Sequence, residues 1–289
     1  MEYIKEPDNF CEIPESYSNY TGSKVVVLPF PYEKTTCYVK GTENGPDAII
    51  KASTEVELYD EELGNIFEVG ICTLKPLMVD EKPEAMANII YRNVKKLLDD
   101  GKFVVTLGGE HSITSGIVRA FKEKSSNLSV LQIDAHADLK EEFEGSKHSH
   151  ACAMKRVLEI CPVVPVGIRS LSFEEAEFIK ENNYKIFWAK DIVDNDEWFD
   201  EAISRLSKNV YITFDLDGLD PSIMPSVGTP EPGGLSYYQA LRFLKKVCEK
   251  RNVVGFDVVE LCPNKNQVSS DFTAARIIYK LIGYKFTRK

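Results

Sequence analysis

Long apolar runs are missing from this chain: no stretch approaches the roughly 20 residues a helix needs to cross a bilayer. A helical membrane protein is thereby excluded. Basic charge is short as well, with 35 Lys and Arg against 45 Asp and Glu, a net charge of −10. A surface of that sign repels nucleic acid and anionic membrane, so neither is expected as a partner, and it suits a small cationic ligand. None of the seven cysteines forms a Cys-x-x-Cys pair, and an odd number leaves one over in any full pairing. That is the pattern of a reduced chain. Residues Met1 to Pro7 lack the basic and apolar regions of a signal peptide, and the expected compartment is the cytoplasm. No linker, repeat or low-complexity tract divides the chain, so one domain is expected over 1–289. Histidine is scarce too. The four, His111, His136, His148 and His150, all fall within one window of 40 residues. Histidines scattered through a core or over a surface would not cluster in that way.

What is present collects at the ends of strand-like runs. Leu128 to Ile133 reads as a buried parallel strand and leads into Asp134-Ala135-His136-Ala137-Asp138. If the strand continues, side chains at spacings of two leave one face, roughly 6–7 Å apart. Two carboxylates and an imidazole there would form an uncompensated charge cluster unless a cation held them. Val210 to Phe214 ends in Asp215-Leu216-Asp217, and Phe103 to Leu107 ends in Gly108-Gly109-Glu110-His111. In open parallel sheets, ligands bind beyond the carboxyl ends of the strands. Six candidate metal ligands converge on that side: His111, Asp134, His136, Asp138, Asp215 and Asp217. They are too many for one tetrahedral zinc and suit two cations that share bridging carboxylates. A set rich in carboxylate and poor in thiolate points to manganese, with iron, cobalt, nickel and zinc as competitors.

The rest of the chain alternates strand and helix. Strands are expected at 24–30, 67–74 (an edge), 103–107, 128–134, 163–168, 185–189, 209–215 and 253–259. Helices are expected from Pro46, over 83–100 with Gly101 as the stop, and over 112–124, 150–160, 196–207 and 271–282. Two more open on the capping-box pairs Ser172/Glu175 and Ser236/Gln239. This alternation predicts an α/β fold, one mainly parallel sheet with helices on both faces. Residues 1–22, polar and irregular, read as an N-terminal arm, and 218–235, with four prolines and four glycines, as a long functional or connecting loop.

Three of these stretches resemble a known family. Gly108-Gly109-Glu110-His111-Ser112, Asp134-Ala135-His136-Ala137-Asp138 and Phe214-Asp215-Leu216-Asp217-Gly218-Leu219-Asp220-Pro221 look like the signatures of the ureohydrolases, the family of arginase and agmatinase. The likeness continues at Gly228 to Gly234 and, earlier, at Gly41-Thr42, Gly45-Pro46 and Ala48-Ile49, so it covers most of the chain in the family's order. It implies the arginase-like three-layer α/β/α sandwich, homo-oligomers (trimers or hexamers), and two Mn²⁺ per chain. His111, Asp134, Asp138 and Asp215 would hold one ion and Asp134, His136, Asp215 and Asp217 the other. A hydroxide shared by the ions would attack a guanidinium carbon and release urea and a primary amine. His150 matches the family's proton shuttle, and the chemistry supplies a reason: a leaving amine needs a proton, and imidazole titrates near neutrality. Glu260 matches the carboxylate that pairs with the guanidinium, a planar cation suited to two parallel hydrogen bonds. Asp257 is its competitor. His148 reads as a loop residue, Glu110 as a support behind the ligands, and Cys152 and Cys262 as packing; Arg169 and Ser170 receive no role.

Substrate choice turns on the loop after Asp138. Where arginase has an asparagine that helps bind the α-carboxylate, this chain has Lys140, followed by Glu141-Glu142-Phe143-Glu144-Gly145. Three glutamates repel a carboxylate and welcome an amine; Lys140 and Ser146 point the other way. The expected substrate is agmatine, cleaved to urea and putrescine, with arginine, aminopropylagmatine or another guanidino compound as alternatives. The competing class, a metal-binding protein without activity, is disfavoured by the full set of ligands together with His150 and Glu260.

Overall fold

In the computed structural model of the chain, which describes residues 2–79 and 81–287, the strand-like runs form one nine-stranded sheet. The strands are β1 (Tyr3–Ile4), β2 (Val25–Phe30), the separate hairpin β3 (Tyr59–Asp60) and β4 (Gly64–Asn65), β5 (Ile71–Leu74), β6 (Phe103–Gly108), β7 (Leu128–Ile133), β8 (Val163–Ile168), β9 (Phe187–Trp188), β10 (Asn209–Asp215) and β11 (Asn252–Val259). Their spatial order is β1-β5-β2-β6-β11-β10-β7-β8-β9. Within this nine-stranded sheet every pairing is parallel except β1 with β5, and the separate β3–β4 hairpin is antiparallel. Parallel strands covered on both faces need continuous apolar runs, and β2, β6, β7 and β8 are buried at every residue. Alternate residues feed two cores: Val25 and Val27 face the helices 45–53, 199–205, 237–250 and 269–286, whereas Val26 and Leu28 face 83–99, 114–124, 153–158 and 173–181. The single-domain three-layer α/β/α sandwich is as expected.

Local chemistry sets the helix ends. Helix 83–99 starts on Pro83, buries Met86, Ile90, Val94 and Leu97, and is followed by Gly101 at φ +74°. At Ser172 the capping box is complete, the hydroxyl accepting Glu175 N–H and Glu175 Oε2 accepting Ser172 N–H.

The expectation for residues 1–22 needs correction. Phe10, Cys11 and Ile13 are buried in the core, Phe10 N–H donates to Thr73 Oγ1 (2.9 Å) and Cys11 N–H to Ser53 Oγ (2.8 Å). The segment is a packed element, and its apolar residues lack periodicity because it closes over the sheet in short turns. Its β1 also covers β5, which is therefore not an edge.

The four central strands, β6, β11, β10 and β7, are neighbours and parallel, so residues at or just beyond their carboxyl ends, His111, Glu260, Asp215 and Asp134, meet on one side. Two glycines permit the closeness. A Cβ on Gly109 would lie 2.1 Å from the Tyr32 carbonyl oxygen, and one on Gly218 would lie 2.8 Å from Asp134 N. Among the described residues no helix is long and apolar enough to cross a membrane, and all seven cysteines are free thiols.

Candidate metal centre and active site

The site is built outward from His111, which is buried on the first turn after β6. Its Nε2 lies 2.8 Å from Thr213 Oγ1, and that hydroxyl gives its one proton to Asp257 Oδ1 (2.6 Å). Nε2 must then be the donor, which leaves the lone pair on Nδ1. Asp257 also accepts from Tyr211 and Thr114 (2.8 and 3.0 Å) and is thus occupied as the anchor of this network. His111 Nδ1 faces Asp138 Oδ2, Asp134 Oδ2 and Asp215 Oδ2 at 3.0, 3.2 and 3.4 Å, yet it makes no hydrogen bond.

The sequence expectation that Asp134, His136 and Asp138 share one strand face is not met, because β7 stops at Ile133. Asp134 Oδ1 accepts the His136 N–H (2.6 Å) and turns the chain, and Asp138 adopts a left-handed backbone, φ +53°. That turn returns Asp138 to His111. Asp215 repeats the device, its Oδ1 accepting Asp217 N–H (2.9 Å), while Asp217 Oδ1 accepts Ala135 N–H (3.0 Å) and ties the two turns together. Asp217 Oδ2 lies 2.9 Å from His136 Nδ1, with Asp134 Oδ1 at 3.7 Å.

The electrostatics of this cluster favour a bound cation. Burial, reinforced by Asp217 and Asp138, pushes Asp134 up to about 7. Burial with Asp217 and Asp134 raises Asp215 well above the carboxylate range. Burial works against a charged imidazole, but Asp134 and Asp138 still raise His111, and Asp217 and Asp134 raise His136 to about 10. Carboxylates that resist ionising, and a buried imidazole nitrogen that faces three carboxylates without a hydrogen bond, are both relieved by a cation. Two donor groups lie within reach of one ion each: His111, Asp134 and Asp215, and Asp134, His136 and Asp217, with atoms inside 4.8 Å of one another. Asp134 belongs to both, and Asp138 joins the first through His111. The residues fit a pair of divalent metals.

A cavity of about 330 Å³ opens above this floor. His150 and Glu260 line it, while Asp257 and His148 do not. Glu260 sits at φ +66°, accepts His111 N–H on Oε1 (2.7 Å), and is raised by burial foremost. His150 is lowered, mainly by burial. Glu110 is buried and accepts the backbone N–H groups of Lys34 and Thr35. The acidic loop does not act as its charge implies. Lys140 and Phe143 line the cavity, whereas Glu141 is turned to Arg156 and Lys147 at 3.2 and 3.4 Å. Ser146 points away as well, its hydroxyl 3.1 Å from Glu84.

Sequence reasoning gave Arg169 no role, yet it holds the second turn and the long loop together. Its guanidinium donates to the carbonyls of Asp217 (2.7 Å), Glu231 (2.7 Å), Pro232 (3.0 Å) and Gly167 (3.0 Å). The signal was an arginine at a strand end with a proline- and glycine-rich loop to secure. Arg169→Lys keeps the charge and loses the fork. Unfolding in urea should show a loss of about 2 kcal/mol from acceptors left unpaired, and calorimetry a roughly 10-fold weaker metal affinity. Wild-type values for both would remove this role.

A sequence model of the arginase family matches residues 23–283. The N(1)-aminopropylagmatine ureohydrolase of Synechocystis sp. is 44% identical, over 98% of this chain and 95% of that protein. The protein of that name from Thermus thermophilus is 42% identical, over 94% and 93%. In three dimensions the chain is similar to the agmatine ureohydrolase of Thermoplasma volcanium, with a TM-score of 0.87 and 31% identity over 98% of this chain and 95% of that one.

Proposed function

From its membership of the arginase family, to which this chain belongs, we propose that its substrate is N(1)-aminopropylagmatine, hydrolysed to urea and spermidine. As a ureohydrolase it acts on the C–N bond of an amidino group. One observation carries the substrate: the two relatives named for aminopropylagmatine are 44% and 42% identical over nearly the whole chain, against 31% for the agmatine ureohydrolase. The alternative weighed beside agmatine in the sequence thus takes its place. The loop geometry withdraws the argument for agmatine, since Glu141, Glu142 and Glu144 are not among the residues that line the cavity. The rim offers Tyr38 and Val39, a surface suited to methylenes and to an ammonium held over the Tyr38 ring, whereas Phe143 already carries the Lys140 ammonium 4.7 Å from its ring centroid.

Two divalent ions, Mn²⁺ in this proposal, would supply Lewis acidity and lower the pKa of a bound water. Asp134 would be shared by both, with His111, Asp138 and Asp215 on one side and His136, Asp215 and Asp217 on the other. Glu260 would take the guanidinium by paired hydrogen bonds, and the arriving cation favours the carboxylate that burial disfavours. His150 would hand a proton to the leaving nitrogen. Cytoplasmic residence and assembly into trimers or hexamers belong to the same proposal.

Urea release from the Mn²⁺-loaded protein tests it across aminopropylagmatine, agmatine and arginine. The extra ammonium should give aminopropylagmatine about a tenfold advantage in kcat/KM over agmatine, one contact of roughly 1.4 kcal/mol. Agmatine or arginine in first place would sink the substrate. Two bound ions with no urea from any compound would favour the metal-binding reading.

A further inference from the structure

Lys34 and Thr35 are tied to the cleft wall through one buried carboxyl group. Glu110 is fully buried and accepts four hydrogen bonds: Oε2 from the backbone N–H of Lys34 (2.6 Å) and Thr35 (2.7 Å), Oε1 from the hydroxyls of Thr35 (2.8 Å) and Ser112 (2.5 Å). A threonine hydroxyl has one proton, and here Glu110 takes it. The lone pairs of Thr35 Oγ1 then face the other way. Two groups of His150 stand there, the backbone N–H at 3.0 Å and ring Nδ1 at 3.2 Å. An oxygen whose proton is committed to Glu110 accepts from Nδ1 rather than donating to it. The second ring nitrogen, Nε2, is left without a proton on the opposite edge of a ring that lines the cavity. Phe143 steadies the ring plane edge-to-face, with centroids 5.6 Å apart at 88°.

We propose, on the ureohydrolase reading above, that Thr35 is a positioning residue for His150, holding the neutral imidazole as its Nδ1–H tautomer with Nε2 turned to the substrate. The proton lost by the attacking water goes to Nε2, and from Nε2 to the leaving nitrogen. The wrong tautomer would present an N–H to the water and could not take that proton. Burial keeps His150 neutral at pH 7, the state in which the tautomer matters. Glu110 acts one step further back, by fixing the direction of the Thr35 hydroxyl.

Thr35→Val removes the hydroxyl at nearly constant volume. Expected is a fall in kcat of about 10–100-fold, part of the worth of a general acid–base group, with KM and the two bound ions unchanged. Thr35→Ser should keep about a third of kcat or more. In a His150→Ala background, Thr35→Val should cost less than about twofold further, because the residue it positions is gone. Losses that multiply in the double variant, or a serine variant as weak as valine, would overturn the role and leave Thr35 a loop anchor. If the valine variant does not fold, Thr35→Ala against Thr35→Ser makes the same comparison. The tautomer is also read without turnover, from imidazole ¹⁵N shifts of the Zn²⁺-loaded protein, in which only four histidines contribute. A proton on His150 Nε2 there overturns the proposal even if no substrate is cleaved. Failure of wild-type urea release, with the proton on Nδ1, overturns only the ureohydrolase reading.

Discussion

Asp134→Asn drops bound metal below two ions per chain and lowers urea release by at least about 10³-fold, since a metal pair supplies several kcal/mol of transition-state stabilisation. Asp134 is wholly buried and is common to both donor groups. Each of its oxygens already has a fixed neighbour: Oδ1 accepts His136 N–H (2.6 Å) and Oδ2 accepts from Gln132 Nε2 (2.9 Å). An amide keeps one of those contacts and turns an N–H₂ group on the other, where it repels a donor and a cation alike. Stability should move in the opposite sense when metal is removed. The folded-state pKa of Asp134, about 7, lies above its ordinary value. Its contribution is therefore fully present only below the ordinary carboxylate pKa, and it is lost as pH rises towards 7. The metal-free wild type should lose thermal stability over that window, the metal-free variant should lose less, and the large metal-dependent rise in Tm should belong to the wild type. Elemental analysis decides the first point. Two tightly bound ions and normal turnover in the variant would remove Asp134 from its shared position.

The candidate ligands stood out in the sequence because their residue types have little other use at the end of an apolar strand. Three such ends within one α/β alternation locate a site before any distance is known. What could not be read was how the backbone gathers them. Asp138 reaches His111 through a left-handed turn rather than along a strand face, and a spacing of two is compatible with both. The supporting polar residues were hidden for a different reason. Thr35 meets Glu110 across 75 positions, and Arg169 binds carbonyls of a loop up to 63 positions away. Contacts to backbone carry no residue-type signature. Glu141 shows the converse error, where the charge is plain in the sequence but Arg156, on the helix that follows, takes it away from the cavity. The N-terminal segment was missed because Phe10, Cys11 and Ile13 keep no helical or strand period, although burial of all three fixes it on the core.

His150→Ala should lose about 10²–10⁴-fold in kcat, the usual worth of a positioned acid–base group, while both ions stay bound and KM changes little. The structure separates the two neighbouring histidines by surroundings rather than by sequence. His150 lines the cavity, meets Thr35 and packs edge-to-face on Phe143. His148 is absent from that lining, and its backbone N–H is turned to Ser146 Oγ (3.1 Å). His148→Ala should therefore cost less than about threefold, as substitutions outside the acting group do. The pH dependence carries a sign of its own. Because burial lowers His150, the ring is neutral at pH 7 and becomes protonated only below the ordinary imidazole range. If Nε2 must accept the proton of the attacking water, kcat of the wild type falls on that acid side, and His150→Ala loses that dependence while keeping any that comes from metal release. Metal titrations at each pH separate the two, since proton competition for the ligands appears as lost ions and His150 protonation does not. A large loss at His148 with His150→Ala unaffected, or loss of metal from His150→Ala, would place the proton shuttle elsewhere.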